Sequence, residues 1–138
     1  FLEGVNWDSP VMQEEIFGAV LPLMTFERIE TVIEQINERD KPLALYLFSK
    51  HKATQEKILA EISFGGGCIN DTLLHLTNNK LPFGGVGASG MGNYHGQFSF
   101  YTFSHAKAIL NKSTLIDVPL RYPPYQDGKL GLIKKVVG

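Results

Sequence analysis

The chain has 138 residues, of which 43% are apolar, 20% charged and 11% aromatic, the mix of an ordinary globular domain. Thirteen basic against fourteen acidic residues leave a formal net charge of −1 with no charge block, which argues against nucleic-acid binding through a basic face. A single cysteine excludes a disulfide framework and a multi-cysteine zinc site, and fits a reducing, cytoplasmic compartment.

Val20 to Phe26 reads as a first strand, broken only by Pro22. Ile29, Val32, Ile33 and Ile36 then follow the i, i+3, i+4, i+7 rule of an amphipathic helix. Thr25 is the expected cap of this helix, and Asp40-Lys41-Pro42 its end. Leu43 to Phe48 is short, apolar and bounded by turn residues, so a strand buried on both faces is expected. The run is far too short to span a bilayer, and no signal peptide is visible. A second helix is expected over 52–62, with Ile58, Leu59 and Ile62 on one face. Gly65-Gly66-Gly67 should stop it, and Cys68-Ile69-Asn70 is the candidate next strand. Strand–helix–strand–helix–strand implies an α/β fold with a mostly parallel sheet, flanked by helices and joined by right-handed crossovers.

The periodicity fails from Asp71 to about Gly96. Nine of the fourteen glycines fall between Gly65 and Gly96. This stretch also carries Leu73, Leu74, Leu76, Leu81, Phe83, Val86, Met91 and Tyr94, too apolar a set for a linker. A long glycine-rich functional loop is the expectation. Gln97 to His105 is a candidate short helix and Lys107 to Leu110 a short strand. Arg121-Tyr122-Pro123-Pro124-Tyr125 should be extended, because each proline restricts itself and its predecessor. The tail 129–138 is weakly amphipathic.

Several local motifs fail on their context. Gly85-Val86-Gly87-Ala88-Ser89-Gly90 fits the dinucleotide fingerprint G-x-G-x-x-G. It lacks a preceding strand and a following helix, and no acidic residue occurs between Asp71 and Asp117. Ser89, His95 and Asp71 can be written as a hydrolase triad, but their spacing alone does not support it. Cys68 lies in an apolar strand and reads as an inert core thiol. His51, His75, His95 and His105 show no metal-ligand pairing, so no metal site is expected. Glu14 and Glu15 are neighbours on an extended chain. They point to opposite faces and are not a carboxylate pair.

Taken together the motifs carry more. Glu14-Glu15-Ile16-Phe17-Gly18 and, about 65 residues on, Pro82-Phe83-Gly84-Gly85 with Ser89-Gly90 resemble two signatures of the aldehyde dehydrogenase superfamily. Pro10-Val11-Met12-Gln13, Lys41-Pro42-Leu43-Ala44-Leu45-Tyr46, Gly90-Met91-Gly92-Asn93-Tyr94-His95-Gly96, Thr102-Phe103-Ser104-His105 and Leu120-Arg121-Tyr122-Pro123-Pro124 resemble its class 3 branch, the fatty and aromatic aldehyde dehydrogenases. Ala19 departs from the usual proline after the first motif.

The resemblance implies oxidation of an aldehyde to a carboxylic acid with NAD or NADP. In that chemistry a cysteine thiolate attacks the aldehyde, a hydride leaves, and water hydrolyses the thioester. It implies that Glu15 accepts the hydroxyls of the nicotinamide ribose and that Phe17 packs near the nicotinamide. It also implies that Phe83, with Thr77, Tyr94 and His95, lines the aldehyde tunnel, and that Asn70 gives structural support. No Gly-Gln-x-Cys motif and no Rossmann half is found. The nucleophilic cysteine and general-base glutamate are therefore expected upstream, with no catalytic residue in this chain. Opening on Phe1 just ahead of the first motif, the chain is expected to begin inside the parent's catalytic domain. Residues 1–110 would be the second half of that domain, and 111–138 a tail with subunit or domain contacts. A homodimer or tetramer and no membrane anchor are implied for the parent, with an inactive, self-associating fragment. The alternative is a stand-alone, non-catalytic α/β binding or interaction module.

Overall fold

A computed structural model describes residues 1–117, 119, 122–124 and 127–137. It divides into two compact units, Phe1–His105 and Ala106–Gly138.

The first unit is built on two helices and two parallel strands: α1 (Ile29–Asn37), β1 (Ala44–Leu47), α2 (Lys52–Glu61) and β2 (Gly66–Ile69). The strands pair in register from Ala44 opposite Gly66 to Leu47 opposite Ile69. Ile33 of α1 and Ile58 and Ile62 at the end of α2 are the buried apolar centre. Ile29, Ile36, Leu45, Leu47 and Phe64 pack against it, so both helices cover the sheet. Lys57 Nζ lies 2.7 Å from Glu30 Oε1 and ties α2 to α1. Asn37 Nδ2 donates to the Glu61 carbonyl at 2.9 Å. Trp7 Nε1 donates to Gln35 Oε1 at 3.0 Å, and the Arg39 guanidinium lies 4.1 Å from the Trp7 ring centre. These contacts hold the N-terminal segment to α1.

The expected α/β order is present, but several boundaries move. Val20–Phe26 is not a strand. Only an isolated parallel bridge forms, between Leu2 and Pro22. Leu2 N–H donates to the Leu21 carbonyl at 2.9 Å, and the Leu2 carbonyl accepts from Leu23 N–H at 2.8 Å. The two bonds come from the residues flanking Pro22, and the pairing goes no further. Thr25 does not cap α1. The helix starts three residues beyond Phe26, after an extended Arg28 that makes no side-chain cap bond. Glu30 in the first turn instead complements the free N–H groups there.

β1 is only partly covered at each of its four residues, not buried on both faces. Leu59 stays 49% exposed while Ile58 is 3% exposed, because one helical residue step turns the side chain by about 100°. The triple glycine is not a stop: Gly66 and Gly67 open β2. A Cβ on Gly67 would sit 2.1 Å from the Leu45 carbonyl, so glycine here permits close strand approach.

The stretch after Asp71 holds a short helix, α3 (Leu74–Thr77), and a 3₁₀ turn, Gly87–Ser89. Phe83 and Tyr94 form an antiparallel bridge, each N–H donating to the other's carbonyl at 2.9 and 2.8 Å. α4 (Gly96–Thr102) ends three residues short of the expected His105, with Phe103 as its cap residue.

In the second unit 107–110 form no strand, and Ile109 and Leu110 are exposed at 75% and 93%. With no paired neighbour, an apolar run of this length has no ladder to join. Tyr122–Pro124 lie in a bend, while Leu120, Arg121 and Tyr125 fall outside the described residues. The weakly amphipathic tail is α5 (Asp127–Val137). No helix among the described residues is long and apolar enough to cross a membrane.

Candidate active site

The glycine-rich loop brings Phe83, Tyr94 and His95 together. Phe83 meets Tyr94 edge-on with centroids 5.4 Å apart, and stacks on His95 at 5.8 Å and 23°. Tyr94 and His95 are themselves edge to face at 4.6 Å. The Phe83–Tyr94 bridge fixes the two backbones. His95 holds φ at +92°, a region that costs a side-chain-bearing residue about 1–3 kcal/mol. Its N–H donates to Ser99 Oγ at 3.0 Å, and Thr102 Oγ1 donates to the Asn93 carbonyl at 2.5 Å. Both bonds run from α4 to the loop and hold the strained backbone. Next to this cluster lies a cavity of about 490 Å³, lined by Phe83, Met91, Tyr94, Thr102 and Phe103 with intervening glycines. Its size is that of a small-molecule site and its side chains are mainly apolar.

Thr77, the fourth expected tunnel residue, ends α3 and is exposed. Its hydroxyl donates to the Leu74 carbonyl at 2.9 Å. Glu15 and Phe17 lie on an irregular segment after the Pro10–Met12 turn. The Glu15 carboxylate is exposed, with no hydrogen bond or ion pair among the described residues. Phe17 is 92% exposed and Ile16 between them is half-buried, while Glu14 is exposed like Glu15, so burial does not separate the two glutamates onto opposite faces.

Asn70 links the ends of the two strands. Its Oδ1 accepts from Ser49 N–H at 2.8 Å, and its Nδ2 donates to the Ser49 carbonyl at 3.0 Å, with φ at +57°. Ser89 is a turn residue: its hydroxyl donates to the Val86 carbonyl at 3.0 Å and accepts from Val86 N–H at 2.9 Å. Gly87–Ser89 is a single 3₁₀ turn, so no helix N-terminus follows the glycine pattern. Among the described residues no group of three or more His, Cys, Asp or Glu is placed to hold a metal ion.

Sequence reasoning missed His75 and Tyr46. His75 sits on α3 and is 8% exposed, with its ring 5.8 Å from Tyr46 and 6.4 Å from Phe83. The one local signal is its place between Leu74 and Leu76, which also suits a core residue.

The aldehyde dehydrogenase family model matches residues 1–109. A 4,4'-diaponeurosporen-aldehyde dehydrogenase of Staphylococcus aureus is 53% identical over 133 residues, which is 96% of this chain and 29% of that protein. Aldehyde dehydrogenase family 3 member H1 of Arabidopsis thaliana is 52% identical over 96% of this chain and 28% of its own length. Family 3 member B1 of Rattus norvegicus is 52% identical over 96% of this chain and 29% of its own length. The solved structure "Substrate bound state of Staphylococcus Aureus AldH" superposes with a TM-score of 0.87 at 52% identity, covering 99% of this chain and 30% of that one. The chain thus spans under a third of the length of the relatives it matches. With its partial α/β domain and its two signature motifs, the chain belongs to the aldehyde dehydrogenase family, as a class 3-like piece.

Proposed function

We propose that the protein containing this chain oxidises aldehydes to carboxylic acids with NAD or NADP, through a cysteine thioester. The Phe83–Tyr94–His95 cluster beside its cavity carries this reading, in a chain of this family. Phe83, Tyr94, His95 and Thr77 form one wall of the aldehyde tunnel. An apolar, ring-lined wall excludes water from a carbonyl that must react with a thiol rather than hydrate.

Glu15 and Phe17 fit the dinucleotide. A carboxylate free of protein partners has both oxygens available for the two hydroxyls of the nicotinamide ribose, and the exposed Phe17 ring offers an apolar face for the nicotinamide. When bound, the dinucleotide supplies the hydride acceptor. Neither the nucleophile nor the general base comes from this chain. Cys68 reaches His75 rather than the tunnel cavity, and no Gly-Gln-x-Cys motif is present. The chain alone is therefore inactive, and the tail 111–138 supplies subunit or domain contacts in a dimeric or tetrameric parent. A cytoplasmic location accords with the single unpaired thiol.

The test is Glu15→Gln in the parent enzyme, followed by NADH absorbance. Losing one anionic acceptor should raise the KM for the dinucleotide by about tenfold or more. An unchanged KM refutes the role of Glu15. An aldehyde-dependent rise in absorbance with the 138-residue chain alone refutes its inactivity.

A further inference from the structure

His75 is the one buried polar side chain among the described residues, and none of the chemistry above uses it. We propose that His75 is a positioning residue that fixes the Phe83 ring and so sets how bulky an aldehyde the tunnel accepts. The inference rests on the tunnel reading of Phe83.

The imidazole is held around its rim by the sheet. Nδ1 lies 3.5 Å from Cys68 Sγ on β2. The Cδ2–Nε2 edge faces Gly66, where a Cβ would come within 3.1 Å of Cδ2 and 3.4 Å of Nε2. Tyr46 of β1 meets the ring edge-on at 5.8 Å and 64°. The backbone that delivers His75 is itself constrained, since Leu73 just before α3 holds φ at +60°. A leucine there tolerates that region poorly, so the surrounding structure fixes the start of α3.

The other ring partner of the imidazole is Phe83. The remaining ring partners of Phe83, Tyr94 and His95, belong to its own loop. His75 is therefore the ring contact by which the β1–β2 sheet meets the loop aromatics among the described residues. The sheet is paired in register and the Phe83 backbone is fixed by its bridge to Tyr94, so this contact sets where the Phe83 ring rests.

A packing role alone does not account for a histidine. Nε2 is buried with no hydrogen-bond partner among the described residues, which costs free energy that leucine or phenylalanine would avoid. What imidazole adds is the Nδ1 contact with the Cys68 thiol, which fixes rotation of the ring about its last side-chain torsion. Cys68 thereby acts as the stop that orients His75, a use its lone position in an apolar strand did not reveal.

The experiment uses the full-length parent enzyme, with kcat and KM measured for a short straight-chain aldehyde and for a bulky aromatic aldehyde. His75→Leu is expected to raise the KM for the bulky aldehyde about tenfold, with kcat and the short-aldehyde KM within about threefold. His75→Asn, which keeps a polar atom near the Nδ1 position, should recover part of the bulky-aldehyde KM. Gly66→Ala leaves both side chains in place and pushes the ring by a few tenths of an ångström; it should move the same KM in the same direction, by less. Equal losses for both aldehydes, or a fall in kcat at constant KM, overturn the proposal and make His75 a structural residue. Should His75→Leu fail to fold, Gly66→Ala and Cys68→Val decide, and no selective change in either overturns it. A wild-type parent that oxidises neither aldehyde overturns the functional reading and takes this inference with it.

Discussion

Replacing Gly67 by alanine tests the strand pairing on which the whole site stands. The added Cβ would lie 2.1 Å from the Leu45 carbonyl oxygen and 3.3 Å from Phe64 Cε2. Ordinary carbon–oxygen contact is about 3.3–3.6 Å, so β1 and β2 must separate locally by roughly 1 Å. Bonds on either side of this position, Gly66 N–H to the Leu43 carbonyl at 3.0 Å and Asn70 N–H to the Leu47 carbonyl at 2.7 Å, would stretch towards or past the usual limit. Two such bonds contribute about 1 kcal/mol each, and overpacking adds roughly 1–3 kcal/mol. The expected loss is about 3–5 kcal/mol, a large share of the roughly 5–15 kcal/mol that holds a domain folded. Urea unfolding followed by far-ultraviolet circular dichroism measures it, at a concentration where sizing shows one species. A loss under about 1 kcal/mol would show that the strands are not in this register, and the placement of Cys68 and His75 would fall with it.

Three further outcomes are expected. The hydrogen bond from Lys57, followed by one from its own backbone, holds the Glu30 carboxyl below its ordinary value of 4.5, and the same pair raises Lys57 above 10.5. A lowered carboxyl pKa gives stability that is present above pH 4.5 and lost as pH falls through the lowered value. The raised Lys57 pKa gives stability present below pH 10.5 and lost as pH rises through the raised one. Glu30→Gln should therefore flatten the acid limb of unfolding midpoint against pH, and an unchanged limb refutes the pairing. Gly131→Ala should strengthen α5 by up to about 1 kcal/mol, because glycine is a poor interior helix residue and a Cβ there meets nothing within 4 Å. Loss of helical signal would contradict it. Finally, Phe17, Met91 and Phe103 are 92%, 100% and 83% exposed, so the isolated chain should self-associate at micromolar concentration in sedimentation analysis. A monomer at all concentrations refutes this.

The legible part of the fold is the part governed by local periodicity. Ile29, Ile33 and Ile36 announce α1, and the apolar run around Leu45 announces β1, because a helix face and a strand each repeat along the chain itself. Leu59 marks the limit. It belongs to the same apolar set as Ile58, and only the position of the sheet decides which of the two turns inward. Thr25 shows the same limit at a helix end, where a good cap residue is unused because the helix starts only after an extended Arg28.

The sequence by itself determined the family and the α/β order, and singled out Glu15, Phe17, Phe83, Thr77, Tyr94 and His95 as site candidates, since motif chemistry is written in consecutive residues. Tertiary structure alone decided that Phe83, Tyr94 and His95 pack as one cluster and that Cys68 and His75 meet beside Gly66. Those facts depend on strand register and on close approach between segments distant in sequence, and no local pattern encodes either.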